Sequence, residues 1–425
     1  MISALLIIVF IVGYTAIAFE HPLQLNKAAS ALITGVLCWT IYIFQSKDAH
    51  MVNEELLLHL GDISSILFFL LGAMTIVELI DSHHGFDIIT QKIVTSSKAT
   101  LLLIIAALTF FLSALLDNLT TAIVMTSLCS KILSEKEDRA WFAGIIIIAA
   151  NAGGAWSPLG DVTTTMLWIG GQITALNIMK QLFLPSLIAC IIPALIISYR
   201  YRGKRIAGMP KAICTEKEKQ EGEIILIAGI VFLIFVPVFK TLSHLPPFMG
   251  MMLVLGLMWV ITTVIHKNKG HEIAKKFSVA RALQRIDSPS ILFFLGILLA
   301  VSALQASGML RELAGFLSST LKNEYSIGIA LGLLSAVVDN VPLVAASQRM
   351  YDLSTYPTDH PFWGFLALTT GTGGSAIIIG TAAGVAVMGI EQIDFMWYLK
   401  KIGWLALVGF AVGILVFLLQ SQLLR

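Results

Sequence analysis

Charge is what this chain lacks: Asp, Glu, Lys and Arg together make up 13% of its 425 residues, while 57% are apolar. A soluble domain carries about a quarter of its residues charged, so an aqueous globular fold is excluded. Cysteine is nearly absent too. Cys38, Cys129, Cys190 and Cys214 stand apart, without a C-x-x-C or a Cys/His ligand spacing, which removes a disulfide framework, a zinc site and a thiol redox centre. They read as apolar filler, and no cofactor is expected. The net charge of +2 comes from loops and forms no basic stripe, so nucleic acid is not an expected partner. A basic n-region is also missing before the first apolar run, Ile2 to Phe19, although Ala16-Ile17-Ala18 superficially resembles a signal-peptidase site. That run reads as the first transmembrane helix.

What the chain has is apolar runs of about 17–25 residues, the length that crosses a bilayer as a helix, repeated almost to the C-terminus. The lipid bilayer is therefore its environment. The runs repeat with an internal offset of about 220 residues: Ser113-Ala-Leu-Leu-Asp117-Asn118 pairs with Ser335-Ala-Val-Val-Asp339-Asn340, Ile66-Leu-Phe-Phe-Leu70 with Ile291-Leu-Phe-Phe-Leu295, and Gly153-Gly154 with Gly373-Gly374. The expected fold is an all-α polytopic membrane protein of two repeats, residues 1–199 and 223–425, joined by a charged cytoplasmic linker, 200–222. Each repeat contains five transmembrane helices, one of them broken by glycine, and a re-entrant hairpin. The hairpins are expected at 99–133 and 325–350, the broken helices at 141–170 and 363–390. Five crossings is an odd number, so the second repeat must be inverted relative to the first, as in many secondary transporters. Most Lys and Arg fall on the face holding the 200–222 and 266–287 loops, which makes that face cytoplasmic and puts both termini outside the cell membrane.

Asp117, Asp339 and Asp161 lie deep in these apolar segments. A carboxylate at that depth costs about 2.5–3.5 kcal/mol or more, so a cation, a proton or water must compensate it; the alternative is that each Asp simply caps a half-helix. Asn118 and Asn340 can offer amide oxygens to a cation, though Asn also favours turns for its own reasons. The stretch Asn151-Ala-Gly-Gly-Ala-Trp-Ser-Pro-Leu-Gly-Asp161-Val-Thr163-Thr164 cannot stay helical through Gly153, Gly154, Pro158 and Gly160. Its bared carbonyls and the Ser157, Thr163 and Thr164 hydroxyls are hard oxygen ligands for a small alkali cation. Thr369 to Ser375, with Gly380 and Thr381, forms the second break and puts Thr381 where the first has Asp161. Ser113 and Ser335, four residues before each tip Asp, face the same side of their arms; such hydroxyls also bond carbonyls one turn back. Glu78, near a helix end, reads as interfacial rather than as a proton relay. The Asp81-Ser-His83-His84-Gly-Phe-Asp87 stretch reads as a solvated loop, although histidines can sense pH.

With these residues in view the chain resembles the NhaD-type sodium/proton antiporters of a superfamily that includes arsenite carriers and divalent-anion symporters. The resemblance runs over nearly the whole chain and is carried by the two Ser-x-x-x-Asp-Asn tips and by the Asn151 to Thr164 break. It implies cation and proton handling at Ser113, Asp117, Asn118, Asn151, Asp161, Thr163, Thr164, Ser335, Asp339 and Asn340, less firmly at Ser375, and a homodimer with separate scaffold and transport parts. The expected activity is exchange of Na+, and of Li+ with it, for H+, with Na+ held by Asp117, Asn118, Asp161 and Asn340. Ion and proton compete for the same carboxylates, so exchange falls in acid and rises in alkali.

An arsenite, antimonite or dicarboxylate carrier on the same fold is the main alternative. Dicarboxylate relatives resemble Ser-Asn-Thr at the hairpin tip, whereas this chain places Asp before Asn in both. An intramembrane aspartyl protease would use two carboxyls sharing a proton, but Pro158 stands where its Gly-x-Gly-Asp signature needs glycine. A passive channel needs neither inversion nor broken helices. An enzyme is therefore not expected.

Overall fold

Most helices in this chain start on a side chain that caps them, and those caps set the element boundaries. The computed structural model describes residues 2–18, 20, 24–46, 48–86, 95–206, 216–267, 269, 276–321, 323–337 and 339–423; Asp87, Cys214 and Val338 lie outside these. Helices α1 (Ile2–Ala18), α2 (Lys27–Gln45) and α3 (Ala49–Ser82) come first, α2 capped by Asn26 and α3 by Asp48. The hairpin follows as α4 (Lys98–Leu116) and α5 (Asn118–Ile132), then the broken helix as α6 (Lys136–Ala155) and α7 (Val162–Ile169), then α8 (Ala175–Arg200). The second half opens with α9 (Glu216–Ser243), α10 (Pro247–His266), α11 (Val279–Arg285) and α12 (Ser288–Ala306). After α13 (Met309–Leu321) come hairpin arms α14 (Glu324–Leu334) and α15 (Asn340–Met350), the broken pair α16 (Pro361–Gly373) and α17 (Ala382–Glu391), and α18 (Phe395–Leu423).

Among the described residues eight helices, α2, α3, α4, α8, α9, α10, α12 and α18, are long and apolar enough to cross a membrane. Large apolar side chains such as Phe44, Leu58 and Leu176 face outward, as the helices of a multi-pass membrane protein present them to lipid. The packing divides into two groups. Helices α1, α2, α3, α9, α10 and α12 pack on one another, whereas the hairpins and broken helices pack mainly among themselves and on α8 and α18, with arm α15 also reaching α12 and α7 reaching α3.

Polar contacts tie the ends of the second group together. Where α4 begins, Lys98 pairs with Asp138 and, at 3.6 Å, with Glu135, just after α5 ends at Ile132; the two arms therefore open at the same end. Arg200 joins them through Glu137 at 2.6 Å. The other end of α8 meets the second half: Asp359 accepts from the backbone and hydroxyl of Thr174 at 2.7 and 2.8 Å, next to the start of α16. A helix of 26 residues is about 39 Å long, and that length separates the two meeting points.

Two expectations are revised. The 200–222 linker is shorter as a loop, because α9 begins at Glu216. The segment between α12 and the second hairpin, where the apolar pattern predicts no transmembrane run, forms α13, whose Leu310 and Ala314 are buried while Leu313 and Phe316 are exposed. Its amphipathic pattern is too polar to register as an apolar run.

Candidate functional site

The site forms where both hairpin tips meet the first helix break. Gly153 makes the approach possible: a Cβ there would lie 2.2 Å from the Phe110 carbonyl oxygen, so α4 and α6 touch backbone to backbone. The second half repeats the contact, with Gly373 against the Gly332 oxygen at 2.1 Å. The serines fasten the same joints. Ser113 donates to the Ala150 carbonyl at 2.5 Å and Ser335 to the Thr370 carbonyl at 2.9 Å, and both are fully buried.

Asp161 ends the first break in extended backbone, φ −142° and ψ 142°, and caps α7 by accepting from Thr163 N at 3.0 Å. Its other oxygen accepts from both tips at once, from Asn118 Nδ2 at 3.2 Å and from Asn340 Nδ2 at 3.1 Å. Asn151 links the halves. It accepts from Asn118 at 3.1 Å and donates to Ser375 Oγ at 2.9 Å and Thr381 Oγ1 at 3.1 Å. Asp161 is 2% exposed, so a carboxylate, three amides and two hydroxyls form one buried cluster. Hydrogen bonds to an ionised group are the strong ones, about 1.5–3 kcal/mol each.

The tip aspartates point elsewhere. Asp117 has φ 80° and ψ 156°, a region used almost only by glycine, at a cost of about 1–3 kcal/mol. Its two oxygens accept from the Thr120 backbone and hydroxyl, both at 2.8 Å, which holds that turn and starts α5. Asp339 caps α15 through Val341 N at 3.2 Å. Of the four residues expected to hold Na+, Asn118, Asp161 and Asn340 are in direct contact, and Asp117 lies one residue behind, turned onto Thr120. The Thr163 hydroxyl is buried without a partner among the described residues, and Thr164 reaches the Ala155 carbonyl at 3.5 Å.

His83 corrects the sequence reading: it is 4% exposed rather than solvated, because Phe277 packs against its ring and His266 meets it Nε2 to Nε2 at 2.9 Å. Glu78 sits by Arg285 at 3.5 Å. Sequence reasoning missed Tyr398, whose hydroxyl donates to the Ser375 carbonyl at 2.9 Å, and the pair of half-buried Arg139 with buried Glu391 at 2.9 Å. Neither carries a local motif. The partners lie 23 and 252 residues apart, and only the fold brings them together.

Comparison with known proteins agrees with this architecture. The family described as "Citrate transporter" matches residues 5–355. "Sodium/proton antiporter 1" of Arabidopsis thaliana is 46% identical over 98% of this chain and 72% of its own length, and "Sodium/proton antiporter 2" of the same plant is 42% identical over 97% and 98%. "Na(+)/H(+) antiporter NhaD" of Vibrio cholerae is 32% identical over 98% of this chain and 91% of its own length. The chain belongs to the NhaD-type sodium/proton antiporters, within the wider family described as citrate transporters.

Proposed function

We propose that this protein exchanges Na+, and Li+ with it, for H+, and that the two compete for the carboxylate of Asp161. The observation that carries the reading is the meeting of Asn118 and Asn340 on one oxygen of Asp161. The two neutral NH2 groups solvate the carboxylate by donating to it. When Na+ arrives, each carboxamide turns end over end and offers its oxygen instead, an exchange of partners that costs no backbone movement. Asn151, held by Ser375 and Thr381, is the pivot between the halves. A proton on Asp161 removes the charge that holds the ion, so the flows are coupled by exclusion, and exchange is strongest in alkali.

The two halves are inverted in this reading. Support comes from the first hairpin opening beside Arg200 and the second half's Asp359 meeting Thr174, at opposite ends of α8. Alternating access then moves the hairpins, broken helices, α8 and α18 against the remaining helices. The family description, "Citrate transporter", favours an anion carrier as the second reading. An anion would meet the carboxylate of Asp161, and among the described residues no Lys or Arg is bonded to the cluster to balance it.

The test is proton movement in everted vesicles from an antiporter-deficient host, on addition of Na+, Li+, K+, citrate or arsenite across a pH series. Proton efflux on Na+ or Li+, growing with pH and lost in Asp161→Asn, is expected. Transport of citrate or arsenite with no response to Na+ would overturn the proposal.

A further inference from the structure

The second broken helix ends on a carboxylate that the cluster does not use. Glu391, the last residue of α17, is 6% exposed. It accepts from Arg139 Nε at 2.9 Å and from the Ser130 hydroxyl. Ser130 belongs to α5, the arm that leads away from Asn118, and α5 and α17 pack along each other. Residues four apart on a helix share a row, so Asn118, Ala122, Thr126 and Ser130 run in one line from the cluster to Glu391, about 18 Å. The matching row of α17 carries Ala383 and Val387, both buried. Small side chains line both sides of this seam.

Thr126 stands along it, 1% exposed, with no partner for its hydroxyl among the described residues. Apart from Thr163 beside Asp161, buried threonines elsewhere find a partner: Thr75, Thr109, Thr370 and Thr372, for example, each donate to the carbonyl one turn back. Thr121, on the same arm but outside that row, is likewise 1% exposed with no partner for its hydroxyl among the described residues. Leaving a buried hydroxyl unsatisfied is unfavourable, and such groups are ordinarily satisfied by protein partners or water. A dry seam would leave the Thr126 hydroxyl bare.

We infer that the α5–α17 seam is a hydrated path carrying Na+ and H+ between the Asp161 cluster and the end of the molecule where Arg200 lies, with Glu391 as its outer loading residue. The inference rests on the exchange reading and adds to it a route and a residue. Arg139 fits the role, since its Nη1 already donates to the Leu133 and Ser134 carbonyls at 3.4 and 3.2 Å. The guanidinium therefore stays bonded when Glu391 turns to a cation. A proton taken up by Glu391 forms one O–H bond and is released to water in the seam, with no change of oxidation state.

Two measurements test this on the full-length protein in proteoliposomes of known orientation. Glu391→Gln is expected to raise the half-saturating Na+ concentration about tenfold, equivalent to about 1.4 kcal/mol, when Na+ is supplied at the Arg200 end, and to leave the other end within about twofold. Thr126→Val shifts it in the same direction. A charged, membrane-impermeant thiol reagent is expected to label Thr126→Cys, in a background with the four native cysteines replaced, and to spare Ile146→Cys, whose position on α6 is fully buried. Equal shifts at both ends, no shift, or a Thr126→Cys variant as inert as Ile146→Cys would overturn the inference. Labelling does not depend on transport, so wild-type protein that moves no Na+ refutes the exchange reading while the labelling result judges the seam by itself.

Discussion

Replacing Gly153 by alanine is expected to disable exchange without touching any ligand. The new Cβ would stand 2.2 Å from the Phe110 oxygen and 2.9 Å from its carbonyl carbon and Cα. These are backbone atoms and cannot rotate aside. Carbon and oxygen meet at about 3.3 Å, so α4 and α6 must part by about 1 Å. Asn118, at the tip of that hairpin, lies 3.2 Å from Asp161 and 3.1 Å from Asn151, and 1 Å more takes both contacts past about 3.5 Å, where a hydrogen bond is lost. Overpacking itself costs about 1–3 kcal/mol. Na+-driven proton efflux in proteoliposomes should therefore need at least about tenfold more Na+, with a lower Tm measured by fluorescence-detected unfolding. Gly373→Ala should act alike through Asn340, because its Cβ would lie 2.1 Å from the Gly332 oxygen. Gly256 has nothing within 4 Å, so Gly256→Ala is the control and should match wild type. Wild-type Na+ dependence and Tm in Gly153→Ala would show that the hairpin is not seated on α6 in this way.

Asn118→Ala and Asn340→Ala each remove one donor from Asp161, and each should raise the half-saturating Na+ concentration by about tenfold in the same assay; an effect from one alone would break the equivalence of the tips. Burial holds His83 down to about 4 from its usual 6.5, so its contribution is whole above pH 6.5 and is lost as pH falls toward 4, by roughly 3 kcal/mol at most. His83→Gln should flatten the acid limb of a Tm-against-pH curve; superimposable curves would refute this. Tyr398→Phe strips the donor from the buried Ser375 carbonyl and should cost about 1–3 kcal/mol of stability, read as a drop in Tm, whereas an unchanged Tm would mean that water replaces the hydroxyl.

The helix breaks were legible because their causes are local: glycine and proline interrupt an apolar period at Gly153, Gly154, Pro158 and Gly160, and Asp-Asn sits at each hairpin tip. What an oxygen does at such a break is not a local property. Asp117 and Asp161 both lie deep in apolar segments, yet the unusual φ of Asp117 turns it onto Thr120, while Asp161, in ordinary extended backbone, keeps an oxygen for both asparagines. His83 was misread for the same reason. Its burial depends on His266 and Phe277, nearly two hundred residues away, and a short polar stretch gives no hint of such a partner. Glu391 looks like an ordinary helix end until Arg139 closes over it.

The two breaks share a backbone but not a charge. Thr381 has φ −141° and ψ 153°, close to Asp161, and caps α17 as Asp161 caps α7. The halves therefore supply the same framework twice, with tips, serines and glycine contacts in matching places, around a single central carboxylate. Two carboxylates this close would share a proton, so a proton and a cation could be held together and exclusion would be lost. One carboxylate reached by an asparagine from each half can hold one monovalent cation or one proton, and offers either hairpin the same ligand when it moves. Under the exchange reading, threonine rather than a second aspartate at the other break is what lets a symmetrical frame carry out a one-for-another competition at its centre.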